Sequence, residues 1–380
     1  MEADFERNAR VPLPTTPPGS RLARWAWAAW LALIVYGSLT PWSGWRDAGV
    51  GAFSYLTAPW PRHVTDFDAV VNVLAYLPLG WLSALAMYPR LRGLRAILAA
   101  AAFGLALSTA MEALQTFLPA RVASNVDLLT NATGTVLGAS LAAPFAERWI
   151  GGGALAGISQ RWIETDVAPA LVLMALWPLA QIDPGPMLFG NGHAFAVPPG
   201  IGTIVATQQS APPLPVAFML TESLVTLAGL LGVGLALFSI LRPQAPRYAL
   251  AGALCAIGLV AKTLIYGAVF GSEYALVWAT PGALIGLTVG GVLMLLSAGL
   301  RPLVLARASL GCLFFLIVAV NVVPRNPYHA AWIEQWKPGK LLHFSAAAAW
   351  LSAAWPYAML AWLVYGLVAR RGAQPHSTEP

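Results

Sequence analysis

The sequence is poor in charged residues. Only 10% of its 380 residues are Asp, Glu, Lys or Arg, whereas a soluble domain carries about 25%, and 58% of the residues are hydrophobic. This composition argues against a soluble fold.

Cysteine and the common catalytic motifs are scarce as well. Cys255 and Cys312 each lie in an apolar run without a CxxC motif or a histidine pair, so neither a disulfide nor a metal site is expected. HExxH, GxSxG and a phosphate-binding glycine loop are missing, which favours a non-enzymatic protein. The net charge of +6 comes without a basic run interleaved with aromatics. We therefore predict no cofactor, no metal and no nucleic-acid partner.

Long apolar runs dominate the chain instead. A bilayer core about 30 Å thick requires about 20 apolar residues in a helix, and ten runs approach that length between charges or clusters of Pro and Gly. They predict an all-α, polytopic bundle of about ten transmembrane helices. The predicted helices cover residues 23–39, 68–88, 95–118, 126–147, 166–182, 216–241, 247–270, 274–299, 303–323 and 341–368.

The basic residues orient this map. Most of the Lys and Arg residues fall in segments on one side, and cytoplasmic loops carry such an excess, so both termini are predicted to lie inside, in a bacterial inner membrane. The loop after the fifth helix contains His193 and is interpreted as a periplasmic connector. The predicted divisions are a disordered tail at 1–20, a transmembrane domain at 22–150, a connecting segment with one helix at 151–182, the loop at 183–215, a second helical domain at 216–370 and a cytoplasmic tail at 371–380.

Three consecutive predicted helices carry pairs of polar residues. Residues three or four apart lie on one helix face, and a rise of about 1.5 Å per residue places all three pairs near the outer end of their helices. The map therefore predicts one polar cluster at the outer membrane boundary. The pairs are Asp68 and Asn72 in the second helix, Glu112 and Gln115 in the third, and Asp127 and Asn131 in the fourth.

Arg121, in the loop between the third and fourth helices, is the nearby counter-charge. We predict that Glu112, Arg121 and Asp127 form one charge network, because charges at membrane depth are cheaper when they are paired. Two interpretations stay open. Asp127 fits a helix cap, whereas Glu112 lies far from any helix start and fits a ligand-binding group as well as a structural one.

Small residues on the fourth helix predict close packing. Gly134 and Gly138 are four apart and would let that helix approach a neighbour. The motif is common in membrane proteins, so it indicates helix packing rather than a functional site.

The second half carries isolated charges. Lys262 lies within the seventh predicted helix, and Glu222 and Glu273 lie nearer the helix ends. Lys262 is most simply explained by one ion pair, for example with Glu222. His343 begins the last helix and is interpreted as an interfacial histidine.

The polar residues of the first half occur in a recognisable order. A helix with Asn and Pro-Leu-Gly is followed by a helix with Glu and Gln, a turn with Arg, and a helix with Asp, Asn and two Gly. This order resembles the VanZ-like family over about residues 66–142. The residues that carry the resemblance are Asn72, Val73, Leu74, Pro78, Leu79, Gly80, Glu112, Gln115, Arg121, Asp127, Asn131, Gly134 and Gly138.

The resemblance implies a membrane protein of the cell envelope. The family takes its name from a protein linked to low-level resistance to the glycopeptide teicoplanin. The first hypothesis is therefore binding or shielding of an outer-leaflet membrane lipid or lipid-linked cell-wall precursor. A transporter or flippase that uses Lys262 is the second hypothesis, and an intramembrane enzyme with Glu112 as acid or base is the third.

Overall fold

Helices form nearly all of the regular structure. The computed structural model describes residues 18–47, 49–60, 66–151, 161–183, 185, 187–193, 215–323 and 342–372, without the side chains of 18–20, 66–68, 215, 269, 342–345 and 370–372. The all-α prediction is confirmed, and each of the ten predicted runs contains one principal helix. These are α1 (Pro18–Leu39), α2 (Asp66–Met87), α3 (Gly93–Gln115), α4 (Asn125–Ala142), α5 (Ala168–Ala180), α6 (Pro215–Ile240), α7 (Arg247–Phe270), α8 (Pro281–Ser297), α9 (Pro302–Val322) and α10 (Leu342–Gly372).

Seven of these helices, in the described part of the chain, are long and apolar enough to cross a bilayer: α1, α2, α3, α6, α7, α9 and α10. The apolar helices α5 and α8 are shorter, with 13 and 17 residues, and α4 has 18 residues with several polar side chains. The chain is thus a multi-pass membrane protein. The count of ten crossings stays a prediction.

The helices group into two compact units. The first unit comprises Met1–Trp30, Trp60–Thr109 and Asn125–Gly157, and the second comprises Leu31–Pro59, Ala110–Ser124 and Ile158–Pro380. The boundary between these units falls within α1 and within α3, and the predicted division near residue 150 stays a prediction.

In the first unit, α2 packs against both α1 and α4. The indole N–H of Trp27 donates to Ser83 Oγ at 3.0 Å, and that of Trp30 donates to the carbonyl of Ala75 at 2.9 Å. The residue number rises along α1 while it falls along α2, so these two helices are antiparallel.

In the second unit, α6 lies at the centre, and 89% of the residues in its most apolar stretch are buried by protein. A Cβ at Gly282 of α8 would lie 2.7 Å from the carbonyl oxygen of Met219, so α8 approaches the α6 backbone closely. On another side, Ser309 Oγ of α9 donates to the carbonyl of Gly232 at 2.6 Å. An apolar helix surrounded in this way is the core of its domain.

Candidate functional site

Gln115 and Arg121 hold the carboxyl end of α1. Gln115 Nε2 donates to the carbonyl of Ser38 at 2.9 Å. Arg121 donates through Nε to the carbonyl of Thr40 at 2.8 Å and through Nη2 to that of Gly37. The last carbonyls of a helix have no partner within the helix, and a guanidinium there also complements the helix dipole. These side chains therefore stabilise the exit of α1 from the membrane.

Glu112 lies one turn before Gln115 on α3 and is 2% exposed. Its Oε2 accepts a hydrogen bond of 2.8 Å from the backbone N–H of Ser124, the residue before α4. A buried carboxylate is costly without such a donor. We call Glu112, Gln115 and Arg121, all in the second unit, the Glu112 cluster.

The other predicted cluster residues belong to the first unit. Asn72 is half-buried on α2, and Asp127 is half-buried in the first turn of α4, where a negative charge is favourable. The side chain of Asp68 lies outside the described residues. A network that joins Asp127 to Glu112 and Arg121 would link the two units, and it stays a prediction.

Asn131 is buried on α4. Its Nδ2 donates to Ser108 Oγ of α3 at 2.9 Å, whereas its Oδ1 is a buried acceptor without a hydrogen-bond partner among the described residues. An unsatisfied buried acceptor costs about 1–3 kcal/mol. The amide therefore links α3 to α4, and its oxygen can accept one further hydrogen bond.

Gly134 and Gly138 face the backbone of α2. A Cβ at Gly134 would lie 3.0 Å from Val73 Cα, and one at Gly138 would lie 2.8 Å from the backbone nitrogen of Trp81 and would overlap the Leu77 carbonyl. On α2 the reverse contact is made by Gly80, which sequence reasoning used only as part of the family pattern. Small residues on both helices bring the two backbones together.

Lys262 contacts backbone carbonyls rather than Glu222, the example of a partner given by the sequence. Lys262 Nζ donates to the carbonyls of Asp183 at 2.8 Å and Gly185 at 3.1 Å. Glu222 Oε2 instead accepts from Thr280 Oγ1 at 2.7 Å, and Thr280 caps the amino terminus of α8. Both charges thus serve local structure, which removes the main support for a transport pathway through Lys262.

The remaining secondary candidates lie elsewhere. Glu273 is exposed in the 3-10 turn Ser272–Tyr274, which follows α7, so it does not lie in a span. His343 begins α10, and its side chain lies outside the described residues.

A buried loop was missed by sequence reasoning. Met187–Gly192, which belong to the predicted periplasmic loop at 183–215, are buried in the second unit rather than lying on its surface. Polar side chains of four helices or helix ends bind the loop. Thr226 Oγ1 donates to the Leu188 carbonyl at 3.1 Å. Asn191 accepts through Oδ1 from Gln181 Nε2 at 2.9 Å and donates through Nδ2 to Ser352 Oγ at 2.8 Å. The Gly192 carbonyl accepts from Asn321 Nδ2 at 2.8 Å and from Tyr357 Oη at 3.1 Å.

Non-helical backbone at membrane depth is stable only where its polar groups are satisfied by protein or by a water-filled cavity. The ring of Phe189 packs against Trp177 of α5, with centroids 4.8 Å apart. The buried loop thus folds back on α5. Single polar residues in otherwise apolar helices, such as Asn321 and Thr226, were the sequence features that could have indicated this buried loop.

The long apolar helices define a polytopic membrane protein. Residues 25–146 match the model of the VanZ/LLP1 family. The amino-terminal half therefore carries a VanZ-like domain, as the order of its polar residues indicated. No curated protein and no solved structure matches the chain.

Proposed function

We propose that this protein binds or shields an outer-leaflet lipid or a lipid-linked cell-wall precursor, and that it thereby lowers susceptibility to teicoplanin-type glycopeptides. The observation that carries the proposal is the buried carboxylate of Glu112 within the VanZ-like domain, at the end of a membrane-spanning helix. A carboxylate inside a span is retained at a cost, which makes it a functional candidate.

The groups of the Glu112 cluster suit a polar head group. A carboxylate and an amide accept hydrogen bonds from sugar hydroxyls and peptide amides, and a guanidinium binds phosphate. Gln115 and Arg121 also hold the end of α1 through the Ser38 and Thr40 carbonyls, so a ligand bound there would be sensed by the position of α1. A precursor bound in this way would be inaccessible to a glycopeptide in solution.

The proposal is tested by Glu112→Gln. Gln keeps the shape and an oxygen that can accept from the Ser124 N–H, so the change removes the charge and replaces one acceptor oxygen by an NH2 group. Glu147→Gln is the matched control, because Glu147 is exposed at the edge of the same domain. The measurements are teicoplanin susceptibility of cells that produce each variant at equal abundance, and binding of a lipid-linked peptidoglycan precursor to each variant in nanodiscs.

We expect Glu112→Gln to lose precursor binding and the effect on susceptibility, with normal abundance and thermal stability. Glu147→Gln should match the unaltered protein in both measurements. Unchanged binding and susceptibility in Glu112→Gln would refute the proposal, and lowered stability with normal binding would leave Glu112 a purely structural role.

A further inference from the structure

The segment between α1 and α2 exposes large apolar side chains. Trp42, Trp45 and Phe53 are 44%, 41% and 58% exposed, and Val50 and Leu56 are exposed to a similar degree. A short loop that faces water does not concentrate apolar surface in this way, and such concentration marks a binding surface.

The indole rings turn their polar edges towards the protein. Trp42 Nε1 donates to the Tyr36 carbonyl at 3.1 Å, and Trp45 Nε1 donates to the Trp42 carbonyl at 3.0 Å. The ring of Trp42 stacks on Tyr36 at a centroid distance of 6.1 Å. The surface that these residues leave exposed is therefore mostly apolar.

The backbone holds Trp42 in this position at a cost. Its φ of 60° lies in the left-handed region, which costs a residue with a Cβ about 1–2 kcal/mol. The contacts with Tyr36 and the hydrogen bond from its own N–H to the Leu39 carbonyl at 2.9 Å keep it there. Such strain persists only where the surroundings enforce it, and it is common at functional positions.

Both ends of the segment are tied to the membrane. It starts after α1 and leads into α2, and both helices are long and apolar enough to span. Its middle is fixed to the protein by a hydrogen bond of 2.9 Å from the Arg46 N–H to the Phe117 carbonyl and by the buried ring of Tyr55. Charge is confined to Arg46 and Asp47, and Asp47 Oδ1 accepts from the Gly49 N–H at 2.8 Å.

We propose that residues 41–47 and 49–60 form a lipid-binding element that lies in the head-group layer of the leaflet where α1 ends. The exposed apolar side chains insert among the upper acyl chains, and the exposed Arg46 guanidinium faces lipid phosphates. Tryptophan is favoured at this depth because its ring is apolar while its N–H is polar. An element of this kind would anchor the end of α1 that Gln115 and Arg121 hold.

Site-directed spin labelling tests this assignment. A nitroxide is attached to Phe53→Cys, and in a second variant to Leu56→Cys, with Cys255 and Cys312 replaced by Ala. The full-length protein is reconstituted in vesicles of phosphatidylethanolamine and phosphatidylglycerol. Collision of each label with oxygen, which concentrates in lipid, is compared with collision with a water-soluble nickel chelate. Arg90→Cys is the control, because Arg90 is exposed in the short charged loop between α2 and α3.

We expect labels at Phe53 and Leu56 to collide several-fold more with oxygen, relative to the nickel chelate, than the label at Arg90 does. Equal ratios at the three positions would overturn the assignment, because the segment would then face water. A label that neither reagent reaches, and that shows spin–spin broadening with the same label on another copy of the chain, would also overturn the assignment. That result would indicate contact between two copies. The measurement is independent of any ligand of Glu112, so it can fail while the proposed function holds, and the reverse.

Discussion

At the scale of single residues, Lys262 is the clearest case of a buried charge put to structural use. It is 3% exposed, and its ammonium binds two backbone carbonyls of the non-helical segment that follows α5. Tyr266, one turn further along α7, donates its hydroxyl to the Gly185 carbonyl at 3.0 Å, and Lys262 Nζ lies 5.2 Å from the centre of that ring. The lysine thus supplies the hydrogen bonds that these buried carbonyls would otherwise need from water.

Lys262→Met is expected to destabilise the protein without a specific loss of function. Met fills a similar volume but leaves the Asp183 carbonyl without its donor, and a buried unsatisfied group costs about 1–3 kcal/mol. The measurement is thermal unfolding in nanodiscs, with Arg301→Met as the control because Arg301 is exposed. A variant with unchanged thermal stability but lost cellular function would instead place Lys262 on a transport pathway.

The positions of the polar residues could be predicted from the sequence, and several of their partners could not. Lys262 and Arg121 stand out in apolar surroundings, so a buried or interfacial role followed directly. Glu222 was the example of a partner for Lys262, whereas Lys262 Nζ donates to backbone carbonyls. Arg121 likewise binds carbonyls at the end of α1, which the sequence did not indicate, and its predicted network with carboxylates stays a prediction. Carbonyls that lack a donor arise at helix ends and in irregular segments, and no residue type marks them in a sequence.

At the scale of elements, the close approach of α2 and α4 depends on glycine. The contacts pair Gly134 with Val73 and Gly138 with Leu77, so residue numbers rise together and the two helices run in parallel. Thr135, fully buried between these glycines, has its Cα 2.8 Å from where a Cβ at Gly80 would lie. Parallel neighbours fit a chain that crosses the membrane through α2, returns through α3 and crosses again through α4.

Gly138→Leu is expected to prevent correct folding, because its side chain would occupy the space of the α2 backbone. Overpacking ordinarily costs about 1–3 kcal/mol, and a backbone neighbour has little room to move. Gly252→Leu is the matched control, since a Cβ at Gly252 of α7 would meet no atom within 4 Å. The yield of monodisperse protein and its unfolding temperature are compared. Normal yield and stability for Gly138→Leu, together with lost function, would mean that the glycines line a site instead.

Helix existence was predictable at this scale, and some helix ends were not. Hydrophobic length alone located all ten helices, including α5, whose Pro178 made it the least certain. The predicted start of α8 at residue 274 is seven residues too early, because the helix begins at Pro281 after Thr280. Thr followed by Pro is a strong start signal, since Thr caps the helix and Pro needs no N–H partner. Apolar residues ahead of this signal concealed it.

At the scale of the whole molecule, the question is whether the short helices α5 and α8 cross the membrane. At about 1.5 Å per residue, α5 is roughly 20 Å long, which is less than the bilayer core of about 30 Å. Its start is nevertheless tied to the end of α6, because the Glu164 N–H donates to the Ile240 carbonyl at 3.0 Å and the Arg242 N–H donates to the Trp162 carbonyl at 2.8 Å. Since α6 is long and apolar enough to span, we expect the chain to change sides between residues 164 and 215.

The same reasoning applies to α8. Arg247, at the start of α7, donates through Nη1 to the carbonyl of Ala298 at 2.6 Å, just after α8 ends. Because α7 is long and apolar enough to span, we expect its far end at Phe270 to lie on the other side and the chain to return through α8. With α4 parallel to α2, these pairings favour the predicted ten crossings, an even number for which both termini are expected on one side.

Reporter fusions decide this topology. We expect a cytoplasmic readout at Arg92 and after Pro380, and a periplasmic readout for a reporter inserted between Gln208 and Gln209, because the Arg-rich segments then face the cytoplasm. Gly192 is a poor insertion site, since its carbonyl accepts from Asn321 and Tyr357 in the buried loop. The alkaline phosphatase and green fluorescent protein signals at each position are the measurement, with equal abundance of the fusions as the control. A periplasmic carboxyl terminus together with a cytoplasmic Arg92 would mean an odd number of crossings from α3 onwards. That result would contradict the pairing of α5 with the end of α6 or of α8 with the start of α7.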